Sequence, residues 1–171
     1  MFAITGITGQ VGGVVARTLL AAGKNVRAIV RDAQKGAAWA QQGCAVAIAD
    51  MNDADSLARA FAQVEGVLLL LPPLFDPAPG FPEVRALLGS LKSALERARP
   101  AQVVGISTVG AQARQENLLS QHTIHEQILG ALALPVTFLR PAWFMENAAW
   151  DLAPARDTVG DDFTAAFDAR A

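Results

Sequence analysis

The chain has 171 residues, about the length of one domain, and 52% of them are hydrophobic while 18% are charged. This composition excludes a disordered polypeptide, and the formal net charge of −2 excludes the strongly basic surface that binds nucleic acid or anionic membranes. The most apolar run is broken by Pro72 and Pro73 and is too short to span a bilayer. The single cysteine, Cys44, cannot form an internal disulfide and no signal peptide is visible, so we predict a cytoplasmic protein with a packed thiol.

Short apolar runs alternate with helical patterns along the chain. Runs typical of strands covered on both faces lie at 2–5, 26–30, 45–49, 67–71, 103–107 and 136–139. Helices are predicted from Val11 to a stop at Gly23, from an Asp53 cap to Gln63, from Pro82 to just before Pro100, and over 118–132. Such alternation is typical of parallel strands with right-handed crossovers. We therefore predict a doubly wound α/β fold with a mainly parallel six-stranded sheet and helices on both faces.

The sequence TGITGQVGG, residues 5–13, lies between the first predicted strand and the first predicted helix. A glycine-rich turn lets the backbone approach a ligand closely, and the N–H groups of the helix start suit a pyrophosphate. Gly6 is expected to form the turn, Gly9 the close approach, and Gly12 the packing of helix on strand. The alternative is a tight turn without a ligand. We predict a dinucleotide-binding turn formed by Gly6, Thr8, Gly9, Gln10, Val11 and Gly12.

The end of the second predicted strand indicates which dinucleotide is bound. An acidic residue there would bond the ribose 2′-hydroxyl, whereas a basic residue accommodates a 2′-phosphate. Arg31 occupies this position, and Lys35 follows near the start of the next helix. We predict NADP(H) as the cofactor, with NAD(H) as the second choice; the alternative is a solvated basic pair in a loop.

Residues after the third and fourth strands complete the predicted cofactor site. Asp50 and Met51 lie where an adenine could bind, with the Asp50 carboxylate accepting its amino group, whereas Asp53 is expected to cap the next helix. Leu71 and Pro72, at the end of the fourth strand, are added to the predicted cofactor-binding set.

These motifs, with ISTVGA after the fifth strand and FLRPAWFMEN around the sixth, resemble the NmrA-like branch of the atypical short-chain dehydrogenase/reductase superfamily. That branch includes NADPH-dependent quinone and dye reductases, isoflavone-type reductases and non-catalytic redox sensors. The resemblance extends from residue 1 to about residue 150. It implies an NAD(P)-binding Rossmann domain over 1–150.

The chain departs from the superfamily at its catalytic pair, Tyr-x-x-x-Lys, because it contains no tyrosine. The corresponding segment SQHTIHEQIL offers His122 and Glu126, one helical turn apart, which resembles the quinone-reductase-like members. We predict His122 as a proton donor and Ser107, after the fifth strand, as a ligand of nicotinamide or substrate. The alternatives are a surface pair of His122 with Glu126 and a loop-capping Ser107, while His125 is expected to be outward-facing or packed. No Cys/His cluster is present in the sequence, so no metal site is predicted.

Two functions are consistent with these residues. In the first, the protein passes hydride from NADPH to a quinone-like or other electron-poor small molecule, because such acceptors need little acid catalysis. In the second, it is a non-catalytic NADP-binding sensor or regulator of the NmrA kind.

The remaining segment, 151–171, is expected to be a short tail, the remnant of a substrate lobe that is missing or vestigial in this chain. Either natural truncation or a partial chain would explain it. The predicted consequence is an open crevice, with a homodimer covering apolar surface near the sixth strand.

Overall fold

The computed structural model describes residues 1–117 and 119–147. The chain divides into two compact units, Met1–Arg140 and Pro141–Ala171. The described part of the second unit contains one 3-10 helix, Met145–Asn147. The predicted domain end at residue 150 and the predicted tail lie outside the described residues, so both stay predictions.

Strands and helices alternate throughout the described part of the first unit. The strands are β1 Phe2–Ile4, β2 Val26–Val30, β3 Ala45–Ile48, β4 Gly66–Leu69, β5 Gln102–Ile106 and β6 Val136–Leu139. The helices are α1 Gln10–Ala21, α2 Ala33–Gln41, α3 Ala54–Ala60, α4 Pro82–Ala98 and α5 Ser120–Gly130. Each predicted strand is present with ends that differ by two residues or fewer from the prediction. Only the start of α2 was predicted, because its segment AQKGAAWAQ contains a single large apolar residue, Trp39, and an internal glycine.

The six strands form one sheet in the order β3-β2-β1-β4-β5-β6, and every pair is parallel. Parallel neighbours need crossover connections, and the helices provide them. The chain therefore begins in the middle of the sheet, builds outward to β3, and then crosses over to build β4, β5 and β6. This order confirms the predicted doubly wound fold.

Two apolar cores cover the two faces of the sheet. Alternate strand residues point to opposite faces, so Ala3 belongs to one core and Ile4 to the other. The larger core contains buried residues of α3, α4 and α5, including Leu57, Leu91 and Leu129. The smaller core contains residues of α1 and α2, together with the buried thiol of Cys44, as predicted.

The two edge strands are less covered than their apolar sequences predicted. Ile48 of β3 remains 52% exposed, and Leu139 of β6 remains 50% exposed. An edge strand has a neighbouring strand on only one side. Its sequence can therefore be as apolar as that of a central strand while its residues are more exposed to solvent. The prediction of cover on both faces is therefore wrong for these two strands.

Local sequence explains where several helices begin and end. Asp53 caps α3 by accepting bonds from the N–H groups of Asp55 and Ser56, as predicted, and these bonds lower the pKa of its carboxyl. Pro82 occupies the first turn of α4, and α1 is followed by Gly23 with a positive φ. None of the helices within the described residues is long and apolar enough to cross a membrane.

Candidate functional site

A cleft of about 640 Å³ opens at the carboxyl ends of β1, β2, β3 and β4. This position includes the switch point between β1 and β4, where the chain changes its direction of growth and where open α/β sheets bind ligands. The cleft is lined by Thr5, Gly6, Thr8, Gly9, Ile29, Val30, Arg31, Asp32, Lys35, Ala49, Asp50, Met51, Asn52, Leu70, Leu71, Pro72, Pro73 and Leu87.

The three glycines of the first turn have three different roles. Gly6 adopts φ +62°, a conformation that side chains rarely tolerate, and it forms the turn after β1. A Cβ at Gly12 would lie 2.5 Å from the Gly6 carbonyl oxygen, so α1 packs directly on that turn. Gly9 has ordinary extended backbone, φ −89° and ψ 177°, and a Cβ there would meet only the Gly6 oxygen, at 3.4 Å. Neither its backbone nor a neighbouring protein atom requires glycine at position 9, so the space beside it is open to a ligand.

The first turn of α1 presents N–H groups toward this glycine turn. Gln10, Val11 and Gly12 are the first three helical residues, and no carbonyl of an earlier helical turn can accept from them. The first turn carries no acidic residue that would compete for this end of the helix dipole. The arrangement suits an anionic group. Gly6, Thr8 and Gly9 line the cleft, whereas Gln10, Val11 and Gly12 are not among its lining residues.

Two cations lie at the end of β2. Arg31 follows the last residue of the strand, and Lys35 lies in the first turn of α2; both line the cleft. Asp32 caps α2 by accepting a 2.8 Å bond from the Gln34 N–H, which fixes the turn between the two cations. The structure therefore brings both predicted cations to the same cleft as the glycine turn.

The end of β3 supplies a carboxylate in a defined position. Asp50 Oδ1 accepts bonds from the backbone and side-chain nitrogens of Asn52, at 2.8 Å and 3.3 Å. The Asp50 N–H donates to Ser56 Oγ at 3.3 Å, which ties this turn to α3. Asp50 and its neighbour Met51 both line the cleft, as predicted.

Thr5 connects the glycine turn to the loop after β4. Its Oγ1 accepts a 2.9 Å bond from the Leu70 N–H and donates toward the Leu68 and Leu70 carbonyls at 3.4 Å and 3.3 Å. These contacts hold Leu70 beside the glycine turn, and Leu70, Leu71, Pro72 and Pro73 all line the cleft. Thr5 was not among the predicted site residues, although it begins the TGITGQVGG motif.

A separate polar cluster lies at the ends of β5 and β6. Ser107 Oγ donates to Glu126 Oε1 at 2.6 Å, and Arg140 donates to the same oxygen through Nε at 2.8 Å and to Oε2 through Nη2. The side-chain bond from Arg140 holds the pKa of Glu126 below its ordinary value, and the bond from Ser107 adds to this effect. We call these three residues the Ser107 cluster. Arg140 was not predicted to contact Ser107 or Glu126, although it lies within the FLRPAWFMEN motif.

Burial lowers the pKa of both histidines of α5. Burial lowers the pKa of His122, and the nearby Glu126 carboxylate offsets part of that effect. His125 is fully buried against β5, where a Cβ at Gly105 would lie 2.9 Å from its Cε1, and it contacts the Phe138 ring edge-on. The packed role predicted for His125 is confirmed. Ser107 and His122 are not among the residues that line the cleft, so their predicted contact with a ligand stays a prediction.

No group of three histidine, cysteine, aspartate or glutamate side chains that could hold a metal is found within residues 1–117 and 119–147.

The sheet order, the glycine turn at the switch point and the cations after β2 define a dinucleotide-binding domain of the Rossmann class. A family model described as NAD(P)H-binding matches residues 6–166, and the chain belongs to that family.

Known reductases resemble this chain in sequence and in structure. Quinone oxidoreductase 2 of Escherichia coli strain K12 is 31% identical over 149 residues, which cover 86% of this chain and 50% of that protein. The crystal structure of the E. coli NADPH-dependent quinone oxidoreductase with NADPH aligns with a TM-score of 0.78 and 28% identity, over 92% of this chain and 54% of its own. The Citrobacter sp. triphenylmethane reductase with NADP(H) aligns with a TM-score of 0.77 and 29% identity, over 85% and 51%. The chain thus spans about half the length of these relatives, and the predicted resemblance to the NmrA-like branch is confirmed.

Replacing Gly9 with valine is expected to abolish dinucleotide binding while the domain still folds. The extended backbone at this position accepts valine, but the branched side chain would fill the space beside the helix start. We expect affinity for NADPH to fall at least about 100-fold, which corresponds to about 2.7 kcal/mol. Fluorescence titration measures the affinity, and circular dichroism confirms the fold. Unchanged affinity in a folded variant would show that the glycine turn has no ligand role.

Proposed function

We propose that this domain binds NADP(H) in the cleft and belongs to an oxidoreductase that reduces a quinone-like or other electron-poor small molecule. The observation that carries the proposal is the meeting of Arg31 and Lys35 with the glycine turn in one cleft. The matched relatives are named for NADPH-dependent reduction of quinones and of triphenylmethane dyes, which supports the acceptor class.

The residues present fit an adenine dinucleotide with a 2′-phosphate. Arg31 and Lys35 would bind the 2′-phosphate through charge-assisted hydrogen bonds, and the planar guanidinium of Arg31 can also stack on the adenine. The turn at Gly9, with the N–H groups of Gln10 and Val11, would hold the pyrophosphate. Asp50, fixed by its bonds to Asn52, would accept from the adenine amino group.

The nicotinamide half of the cofactor would extend toward β4, β5 and β6. In a doubly wound sheet the two halves of a dinucleotide bind on the two sides of the switch point. Leu71 and Pro72 would contact this half at the end of β4, and Ser107 follows β5, the next strand along the same sheet edge. When bound, NADPH supplies a hydride to the acceptor.

The chain's own contribution at this end is positioning and proton supply. The chain contains no tyrosine, so a phenol cannot serve as its proton donor. Burial lowers the pKa of His122, so its protonated form is disfavoured and the residue is a weak source of protons. An electron-poor acceptor makes small demands on such a group, which is why this chemistry suits the site.

NADPH oxidation in the presence of a panel of quinones and triarylmethane dyes tests the activity. We expect turnover above the enzyme-free rate with at least one acceptor, and loss of that turnover in the Gly9→Val variant. Tight NADP(H) binding with no turnover for any acceptor would contradict the oxidoreductase and support a non-catalytic sensor instead.

Arg31→Asp is expected to remove the preference for NADP(H) over NAD(H). The unmodified protein should favour NADP(H) by about 1–3 kcal/mol, the strength of hydrogen bonds to charged groups. Dissociation constants for both cofactors check the prediction. Lys24→Asp is the matched control, because it makes the same charge change at an exposed residue outside the cleft. Equal affinities for the two cofactors in the unmodified protein would contradict it.

Two further predictions concern the protein as a whole. We propose that the protein is cytoplasmic, a location with which the free thiol of Cys44 is compatible. Burial raises the pKa of this thiol and so lowers its reactivity. The homodimer stays a prediction, and the molecular mass in solution measures it directly.

A further inference from the structure

The Ser107 cluster contains one hydroxyl whose hydrogen is already engaged. A serine hydroxyl has a single hydrogen to donate and two lone pairs that accept. Ser107 Oγ lies 2.6 Å from Glu126 Oε1, so one of these two oxygens must donate to the other. The direction of this bond decides which ligand groups Ser107 can recognise.

Arg140 determines that direction. It contacts both carboxylate oxygens of Glu126, through Nε at 2.8 Å and through Nη2, in the bidentate arrangement typical of a strong ion pair. These bonds hold the pKa of Glu126 below its ordinary value, so its carboxyl is ionised and has no hydrogen to give. Ser107 is therefore the donor in its bond to Glu126. Toward a ligand it can accept a hydrogen bond but cannot donate one.

The position of Ser107 points to the end of the cofactor that such an acceptor would contact. Its backbone N–H donates to the Leu139 carbonyl at 2.7 Å, and only 3% of its surface is exposed, so the residue is rigidly placed after β5. β5 pairs with β4, whose end lines the cleft, on the side of the switch point opposite Arg31 and Asp50. That side takes the nicotinamide half of a dinucleotide.

We propose that Glu126 and Arg140 are positioning residues that hold Ser107 as a hydrogen-bond acceptor for the carboxamide N–H of nicotinamide. The inference rests on the proposed function and adds two residues to it. The carboxamide nitrogen is the hydrogen-bond donor of the nicotinamide ring, so an oriented acceptor would select the ring and its rotation. The same arrangement prevents Ser107 from donating to a substrate carbonyl. A proton for the substrate must then come from His122 or from solvent.

The test compares two dinucleotides that differ only at this group. In the 3-acetylpyridine analogue of NADP⁺, a methyl group replaces the carboxamide nitrogen, so the donor is absent while the rest of the molecule is the same. We expect the unmodified chain to bind NADP⁺ about 2- to 10-fold more tightly than the analogue, the range of one net hydrogen bond. Ser107→Ala should reduce this ratio to about 1, whereas Ser107→Thr, which keeps the hydroxyl, should retain it.

Glu126→Gln tests the positioning role. A neutral amide can donate to Ser107 as well as accept from it, so the hydroxyl is no longer held as an acceptor and the ratio should fall toward 1. Arg140→Gln keeps the Glu126 carboxylate but removes the ion pair that holds it, so the affinity ratio should also fall. This variant provides the test if Glu126→Gln does not fold. Thr108→Ala is the matched control, because that neighbouring hydroxyl donates to the Val109 carbonyl instead.

The outcomes separate this inference from the proposed function. A purely structural role for Glu126 would weaken both dinucleotides equally and leave their ratio unchanged, which overturns the inference. A ratio near 1 in the unmodified chain, with both dinucleotides bound, also overturns it and leaves the proposed function intact. Failure of NADP⁺ itself to bind the unmodified chain would overturn the proposed function.

Discussion

Replacing Gly12 with alanine is expected to destabilise the domain by about 2–3 kcal/mol, although alanine is the better helix former. The new Cβ would lie 2.5 Å from the Gly6 carbonyl oxygen and 2.8 Å from Ile7 Cα, both backbone atoms that no side-chain rotation can move. α1 would therefore have to shift away from the turn that it packs on. Equilibrium unfolding in urea, monitored by circular dichroism, measures the change in unfolding free energy.

Gly89→Ala provides the matched control for this prediction. Gly89 lies inside α4, and a Cβ there would meet no atom within 4 Å. This substitution should stabilise the domain by about 0.5–1 kcal/mol, since alanine loses less backbone entropy in a helix. The two variants make the same chemical change in two helices and should have opposite signs. If both variants are stabilised, α1 does not depend on close contact with the glycine turn.

Acidification from pH 7 to pH 4 is expected to lower the unfolding free energy by about 3 kcal/mol through His125 alone. The pKa of His125 is lowered from an ordinary value of 6.5 to about 4, mainly by burial and also by neighbouring His122, while the Glu126 carboxylate opposes the shift. Between these two values the unfolded chain binds a proton that the folded chain excludes. The stability is therefore fully present above pH 6.5 and is lost as the pH falls toward 4.

His125→Leu should remove most of this slope. Neither ring nitrogen of His125 has a hydrogen-bond partner among the described residues, so leucine also removes two buried polar atoms and should not weaken the fold at pH 7. Urea unfolding at a series of pH values from 4 to 7 compares the two proteins. Parallel stability curves over that range would show that His125 is hydrated or paired in solution, contrary to the prediction.

The cleft at the ends of β1, β2 and β3 could be predicted from sequence because the residues that line it are placed locally. Gly6, Arg31 and Asp50 each lie within two residues of the end of a strand, and parallel strands bring their carboxyl ends to one edge. Each residue is therefore placed by its own strand, without knowledge of distant contacts. Predicting the strands was enough to predict that these residues share a cleft.

The Ser107 cluster could not be predicted in this way. Glu126 was predicted to act with His122 because both lie on one face of α5, but its carboxylate is bonded to Ser107 and Arg140. These partners are 19 and 14 residues away and follow two different strands. Helical spacing indicates which side chains share a face; it contains no information about which loop that face meets.

The sequence by itself determined the alternation of strands and helices, the doubly wound class and the glycine turn, because these depend on periodicity and on conformations set within a few residues. Only the tertiary structure decided which strands are edges and which hydroxyl is held as an acceptor. Thr5 shows the same limit, since its bonds to Leu70 join residues 65 positions apart. Such contacts form only after the crossovers place β4 beside β1, and the energy of each bond depends on that placement.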